Sequence, residues 1–137
     1  MMKIDGRCHC GEIEYEAEID LQKVGICHCT DCQQLSASAF RTVAVAAGNM
    51  FKVTRGTPKE YIKTAESGNP RVQGFCGDCG TALYATDPGD SPAAYSLRVG
   101  AMLQREQLVP QFECWRRSAL TWVPELEGTK KFEKAPG

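Results

Sequence analysis

Cysteine is the residue type whose number and spacing in this 137-residue sequence point most directly to chemistry. Seven of the eight cysteines fall in clusters whose members are separated by one or two residues. The clusters are Cys8 and Cys10; Cys27, Cys29 and Cys32; and Cys76 and Cys79, while Cys114 stands alone. Thiolates at this spacing can grasp one zinc ion, whereas a disulfide between such near neighbours would be strained. We therefore predict zinc binding rather than a disulfide framework or a set of inert buried thiols.

The segment from Phe75 to Gly80, FCGDCG, has the form of a zinc knuckle, a tight turn that aims two sulfurs at one point. Its glycines allow the positive φ angles that such a turn commonly needs. A knuckle supplies two of the four ligands of tetrahedral zinc, so another cluster must supply the rest. If Cys8 and Cys10 do so, a closed site results that would contribute roughly 10 kcal/mol to a small fold. The other candidates are two of Cys27, Cys29 and Cys32.

In the first of these arrangements, Cys27, Cys29 and Cys32 remain as a second site. Zinc held by three protein ligands keeps a fourth position open, which is typical of catalytic zinc. The alternative is that Cys114 folds back onto this triplet, in which case the second site is closed and structural. We favour the open site, because an isolated cysteine is more often a small core residue than a ligand.

Two histidines, His9 and His28, occupy the middle of two Cys-His-Cys triplets. Either imidazole could ligate zinc, but in such a triplet the middle side chain points away from the metal that its neighbours bind. We therefore predict that both histidines face solvent or support the ligands from behind.

Two tryptophans, Trp115 and Trp122, frame the pair Arg116 and Arg117. These side chains could line a pocket that accepts an anionic group. Core packing of the rings with the arginines at the surface is the alternative, and for any one of these residues we favour it.

Short strands separated by turns are the elements that must position these residues. The segment from Glu12 to Ile19 alternates acidic and apolar residues, which predicts a half-buried strand with a solvated acidic face. Further strands are predicted over residues 41–46, 50–54, 59–64, 71–76, 81–86, 94–99 and 111–115. The first two of these flank Gly48-Asn49 like the arms of a hairpin. The pattern predicts a mainly β fold, mostly antiparallel.

Helix is predicted in only one or two short segments. Thr30 and Gln33 form a capping-box pattern that would begin a helix ending at about Ser38, with Cys32 in its first turn. The segment from Met102 to Gln107 is the second candidate.

The composition is typical of one globular domain in which positive and negative charges nearly balance. The hydrophobic share is 42% and the formal net charge is −1, which argues against a nucleic-acid or anionic-membrane binder. No apolar run approaches the roughly 20 residues that span a bilayer, and the first residues carry no signal-peptide pattern. We expect a cytoplasmic location, a zinc-binding domain over residues 1–126, and a solvated tail over residues 127–137.

Three motifs resemble, in this order, those of the glutathione-dependent formaldehyde-activating enzyme family, which includes the centromere-protein-V-like proteins. They are GRCHCG at residues 6–11, CHCTDCQ at residues 27–33 and FCGDCGT at residues 75–81. The resemblance covers roughly residues 3–125 and extends through Trp122. It implies an Mss4-like β-tent, a fold of short antiparallel strands stapled by zinc, which agrees with the predicted strands.

The resemblance also implies two zinc ions per chain and an activity. In the family a structural zinc is held by the first Cys-x-Cys and the Cys-x-x-Cys, here Cys8, Cys10, Cys76 and Cys79. A catalytic or exchangeable zinc is held by Cys-x-Cys-x-x-Cys, here Cys27, Cys29 and Cys32. The type activity joins glutathione to formaldehyde and is classed in reverse as a carbon–sulfur lyase. The partner implied is a small thiol or its aldehyde adduct.

Other function classes make different predictions. In a non-enzymatic protein-binding module both zinc sites are closed and structural, and neither exchanges its metal when glutathione is added. In a methionine-sulfoxide-reductase-like enzyme, which has the same type of fold, Cys114 is the nucleophile, but Cys27, Cys29 and Cys32 then have no role. A DNA-binding zinc ribbon is disfavoured because the basic residues are dispersed and balanced by acidic ones.

Overall fold

The chain is mainly β, as the sequence predicts, and its strands form two sheets. The structure is a computed structural model that describes residues 1–136. The strands are β1 (Met2–Arg7), β2 (Glu14–Ile19), β3 (Val24–Cys27), β4 (Arg41–Ala47), β5 (Phe51–Arg55), β6 (Lys59–Thr64), β7 (Pro70–Phe75), β8 (Ala82–Thr86), β9 (Ala94–Arg98), β10 (Phe112–Cys114) and β11 (Lys130–Lys131). The α-helix α1 spans Thr30–Ser36.

The small sheet has the order β1-β2-β5, and the large sheet has the order β11-β10-β3-β4-β9-β8-β7-β6. All pairs are antiparallel except β3 with β10 and β10 with β11, which are parallel. Residues opposite each other on neighbouring strands share one face of a sheet, and so do residues two apart on one strand. The side chains of the large sheet therefore fall into two sets, one on each face of the sheet.

The first face of the large sheet forms the core. Ala44, Leu97 and Tyr84 lie opposite one another on β4, β9 and β8, and all three are buried. The largest fully buried apolar side chains of the core are Ile4, Ile19, Leu83, Leu97 and Met102. The ring of Phe51, on the small sheet, lies 5.4 Å from that of Tyr84 and so joins the two sheets. The other face of the large sheet, which carries Cys27 and Arg41, is the one on which the candidate site lies.

The hairpin predicted around Gly48-Asn49 is wrong. Both strands exist, but β4 pairs with β3 and β9 in the large sheet, whereas β5 pairs with β2 in the small sheet. Between them Gly48–Met50 forms a 3-10 turn that sends the chain from one sheet to the other. Gly48 is needed there, because a Cβ atom would overlap the carbonyl oxygen of Pro92. Asn and Gly thus mark a turn, but not one that joins neighbouring strands.

The helix at Thr30 is confirmed, and the second predicted helix is wrong in most of its length. The helix α1 ends because Ala37 adopts the left-handed conformation, with φ of 51°. Within Met102–Gln107 only Arg105–Gln107 forms a 3-10 turn, and Met102 is buried against the core instead. Burial of Met102 in the core outweighs the local preference of this segment for helix.

The last described residues are largely exposed, as expected of a tail, yet they are attached to the large sheet. Lys130–Lys131 pair with β10, and the backbone of Trp115 donates to the carbonyl oxygen of Lys134 over 2.9 Å. Within residues 1–136, no helix is both long enough and apolar enough to cross a membrane.

Gly74 tests the packing of the core between the sheets. A Cβ atom at Gly74 would overlap the ring of Tyr84, which Phe51 and Tyr95 hold in place. We expect Gly74→Ala to lower the free energy of unfolding by about 2 kcal/mol in urea titrations. Gly100→Ala is the control, since nothing lies within 4 Å of its Cβ position, and it should change stability by less than about 0.5 kcal/mol. Equal stability of the two variants would contradict this packing.

Candidate metal centres and the pocket beside them

Four cysteines from two distant parts of the chain converge on one point. The sulfurs of this four-cysteine cluster all lie within 4.8 Å of one another; its members are Cys8, Cys10, Cys76 and Cys79. The sulfur of Cys10 is 3.6 Å from that of Cys8 and 3.7 Å from that of Cys76. Tetrahedral zinc, with zinc–sulfur bonds of about 2.3 Å, places its sulfurs about 3.8 Å apart. The four-cysteine cluster therefore fits a zinc ion, and it is the pairing of knuckle and N-terminal cysteines that the sequence left as one of two possibilities.

Local backbone geometry explains how the knuckle presents its sulfurs. The chain reverses after β7, where the amide of Gly80 donates to the carbonyl of Cys76 over 2.8 Å. Gly80 has a φ of +81°, which favours glycine, whereas Gly77 has no positive φ. From the N-terminal side, the amide of Ile13 donates to the sulfur of Cys8 over 3.2 Å. Such a donor stabilises a thiolate, as a metal ligand requires.

A three-cysteine cluster lies at the junction of β3 and α1. Its members are Cys27, Cys29 and Cys32, and their sulfurs also lie within 4.8 Å of one another. Cys27 ends β3, and Cys32 lies in the first turn of α1. The capping box predicted at Thr30 is wrong: the N-cap is Cys29, whose sulfur accepts the amide of Cys32 over 3.3 Å. The sulfur of Cys29 thus caps the helix in place of the hydroxyl of Thr30. This hydrogen bond holds Cys29 beside Cys32.

Cys114 lies next to the three-cysteine cluster but is not a member of it. It is opposite Cys27 in the parallel register of β3 and β10. The proximity of the two thiols raises the pKa of Cys27 and lowers that of Cys114. Cys114 does not, however, belong to the group of sulfurs that lie within 4.8 Å of one another. A fourth sulfur is therefore adjacent to the cluster but outside the set of mutually close sulfurs.

Cys29 is the thiol of the cluster that ionises most readily. Hydrogen bonds from Cys27 and then from Cys32 lower its pKa to about 2, and the positive charge of Lys63 adds to the effect. Its side chain also borders an open pocket. Cys29 is thus the sulfur of the cluster that combines strong thiolate character with a place on that pocket.

The pocket beside Cys29 has a volume of ≈ 510 Å³ and a polar wall whose charged residues are two basic ones, Lys63 and Arg117, and two acidic ones, Asp31 and Glu66. Lys63 and Arg117 contribute positive charge, and Lys63 bonds to Asp31 over 2.6 Å. Trp115 also lines the pocket, and its backbone adopts the left-handed conformation, with φ of 57°. The pocket of arginines and tryptophans, the alternative that the sequence did not favour, is therefore found in half of its residues, Trp115 and Arg117. Trp122 is 72% exposed elsewhere, and Arg116 faces a buried carboxylate.

That carboxylate belongs to Glu113 and supports the three-cysteine cluster from behind. His28 Nε2 lies 2.8 Å from Glu113 Oε1, and both side chains are 1% exposed. Arg116 Nη1 lies 3.2 Å from the same oxygen. The other oxygen accepts the amide of Leu126 and the hydroxyl of Thr129 over 3.1 and 2.8 Å. His28 thus points away from its cysteine neighbours, while His9 is exposed at the surface.

The network keeps Glu113 ionised. Burial opposes ionisation, but hydrogen bonds from His28, Thr129 and the Leu126 amide, with the charge of Arg116, lower its pKa from 4.5 to about 2. The network ties His28, which follows β3, to Glu113 in β10 and to the segment that carries Leu126 and Thr129. Sequence gave no signal for it, because Glu113 is 85 residues from His28 and lies in a short strand.

Comparison with known proteins identifies the class to which this fold and these clusters belong. The family model described as "Glutathione-dependent formaldehyde-activating enzyme" matches residues 3–118. The chain belongs to that family. A crystal structure of a Rhodobacter sphaeroides protein aligns over 93% of this chain and 98% of that one, with a TM-score of 0.56 and 20% identity, and is similar in fold. No curated protein sequence matches the chain.

Zinc content distinguishes the roles of the cysteines. We expect each cluster to hold one zinc ion, so Cys8→Ser and Cys29→Ser should each lose one equivalent, whereas Cys114→Ser should keep both. Cys8→Ser should also lower the midpoint of thermal unfolding, because its cluster joins distant segments. Native mass spectrometry counts the ions directly. Loss of zinc from Cys114→Ser would contradict the assignment of Cys114 as a neighbour rather than a ligand.

Glu113→Gln tests the buried network. We expect a loss of about 3 kcal/mol in the free energy of unfolding at pH 7, because a charged partner of His28 and Arg116 is removed. Thr129→Val, which removes one neutral donor, should cost about 1 kcal/mol.

The stability of wild type relative to Glu113→Gln should also depend on pH. The folded-state pKa of Glu113 is lowered, so its stabilisation is complete above about 4.5 and is lost as the pH falls toward 2. The difference in stability between wild type and Glu113→Gln should shrink over that range. A difference that stays constant from pH 7 to pH 2 would contradict the proposed ionisation.

Proposed function

We propose that the protein is a zinc-dependent enzyme that joins a small thiol, glutathione or a close relative, to formaldehyde, and that it acts in reverse as a carbon–sulfur lyase. The observation that carries the proposal is the three-cysteine cluster beside a polar pocket that contains two cationic side chains. Zinc bound there by three thiolates would supply a Lewis acid with one free position, suited to a thiol sulfur or a carbonyl oxygen. Membership of the family supports glutathione and formaldehyde as the reactants.

An open fourth position is supported by where the neighbouring groups lie. Cys114 is on the flank of Cys27 but outside the set of mutually close sulfurs. His28, which sits between two of the cysteines in sequence, is turned toward Glu113. The pocket reaches the cluster at Cys29, so a substrate sulfur can approach from that side.

The pocket suits a thiol that carries carboxylates. Its volume of ≈ 510 Å³ falls within the range of about 300–1,000 Å³ that is usual for small-molecule sites. Lys63 and Arg117 offer cationic donors, and Asp31 offers a carboxylate to an ammonium group. Glutathione has two carboxylates and one ammonium group, so Lys63 and Arg117 match its carboxylates in kind, and either Asp31 or Glu66, which also lines the pocket, matches its ammonium group. The bond between Asp31 and Lys63 holds both side chains in place before the substrate enters.

The reaction between the thiol and the aldehyde has few chemical steps. The thiol gives up its proton, its sulfur attacks the carbonyl carbon, and a carbon–sulfur bond forms as the carbonyl π bond becomes a hydroxyl group. The proton that leaves the sulfur equals the proton that the oxygen takes up, so no oxidant or reductant is needed. The residues of the pocket contribute by holding the thiol near the aldehyde, which converts a bimolecular encounter into a step within one complex.

The test compares Cys29→Ser with Cys114→Ser. Exchange between free and thiol-bound 13C-formaldehyde is measured by NMR in the presence of glutathione, above the uncatalysed rate. We expect Cys29→Ser to lose at least about 100-fold in rate and one zinc, and Cys114→Ser to stay within about twofold of wild type. Unchanged turnover in Cys29→Ser after loss of that zinc would overturn the proposal. Two tightly held zinc ions with no turnover in the wild type would favour a binding module instead.

A further inference from the structure

Two arginines lie on the same face of the large sheet as the three-cysteine cluster. Arg41 is directly opposite Cys27 on the neighbouring strand β4. Arg98, on β9, is opposite Val43, which is two residues from Arg41. Opposite residues and residues two apart share a face, so both guanidinium groups lie on the face that carries Cys27.

Both arginines are buried without a carboxylate. Arg41 is 6% and Arg98 8% exposed. Within residues 1–136, neither takes part in a salt bridge, and the Nε atom of each is buried with no hydrogen-bond partner. Arg98 bonds only to neutral oxygens, those of Gln73 at 3.0 Å and Ser96 at 3.3 Å. A buried charge of this kind is costly unless an opposite charge lies nearby.

The sulfurs of the cluster can supply an anionic group to this face of the sheet, since Cys27 lies directly opposite Arg41. Burial and the charge of Arg41 lower the pKa of Arg98 to about 9, while the thiols of Cys32 and Cys27 act in the opposite direction. Sulfur is thus the anionic partner that the two guanidinium groups can share.

The other basic residues of this face have partners of their own. Arg71 bonds to Asp87 over 2.7 Å, and Lys63 bonds to Asp31 over 2.6 Å. Lys63 also lines the pocket, whereas Arg41 and Arg98 do not. The two buried arginines therefore differ from their neighbours in having neither a carboxylate nor a place on the wall of the substrate pocket.

The net charge of the three-cysteine cluster with zinc bound is the charge that Arg41 and Arg98 would balance. Zn²⁺ with three thiolates has one net negative charge, and with a fourth thiolate it has two. The four-cysteine cluster has two net negative charges when it holds zinc, but Cys10 and Cys79 are exposed, so water can screen them. The three-cysteine cluster is only partly exposed and has two guanidinium groups beneath it. Their two positive charges equal the charge that the second cluster acquires with a fourth thiolate.

We propose that Arg41 and Arg98 are positioning residues that make the three-cysteine cluster select an anionic thiolate, rather than a neutral ligand, as the fourth ligand of its metal. The inference rests on the proposed function, because it assumes that the fourth position is open. It goes beyond that function by assigning the preference for a sulfur anion to charges behind the cluster, rather than to the pocket that holds the rest of the substrate.

The test measures binding of two small probes to the protein loaded with Co²⁺, whose visible spectrum changes with its fourth ligand. The first probe is 2-mercaptoethanol, which binds as a thiolate and has no carboxylate for Lys63 or Arg117. The second is imidazole, which binds as a neutral molecule. Arg98→Gln and Arg41→Gln should each weaken the binding of 2-mercaptoethanol about tenfold and that of imidazole less than twofold. Arg98→Lys, which keeps the charge, should restore most of the thiol affinity.

Arg71→Gln is the matched control, since Arg71 lies near Arg98 but is paired with Asp87. It should change neither affinity by more than about twofold. If both glutamine variants bind 2-mercaptoethanol as wild type does, or if they lose imidazole affinity equally, the charge inference is wrong while the proposed function stands. If wild type itself gives no spectral response to 2-mercaptoethanol, the fourth position does not accept a thiol and both fail.

Discussion

The register of strand β3 is the constraint on which the candidate site depends. Its last residue, Cys27, lies between Arg41 on one neighbouring strand and Cys114 on the other. A shift of one residue in either pairing would turn Cys27 to the core face and separate it from Cys29 and Cys32. Val24 and Ile26 are buried on the core face of β3, and their burial fixes this register. The core between the two sheets therefore determines where the sulfurs of the second cluster meet.

The two clusters use cysteine for different purposes in one small fold. The four-cysteine cluster joins the turn after β1 to the turn after β7, two segments that no strand pairing connects. The three-cysteine cluster is local in sequence and is supported by contacts from afar: Glu113 through His28, and Arg41 and Arg98 on the same face. We therefore expect stability to depend on the first cluster, and the proposed chemistry on the second together with its surroundings.

Sequence was sufficient for the parts of the site that are close together along the chain. The knuckle, the Cys27–Cys32 triplet and the short helix are encoded within a few residues, and each is found. Lys63, Glu113 and the buried arginines could not be predicted, because they reach the cluster only through the pairing of distant strands. Asp31 and Lys63, for example, are 32 residues apart. The hairpin at Gly48-Asn49 failed for the same reason, since a local turn signal does not say to which sheet the next strand belongs.

Cys114 is the residue on which the two hypotheses for the second site, open or closed, differ. Its place opposite Cys27 brings it to the cluster, yet outside the set of mutually close sulfurs. The number of sulfurs bound to zinc is therefore the central quantity. Zinc X-ray absorption spectroscopy of the protein with two zinc ions bound measures the mean number of sulfur ligands per ion. A four-sulfur and a three-sulfur site predict about 3.5, with a light-atom ligand making up the remainder. A mean of about 4 with no light-atom ligand would show that Cys114 closes the second site and would contradict the account.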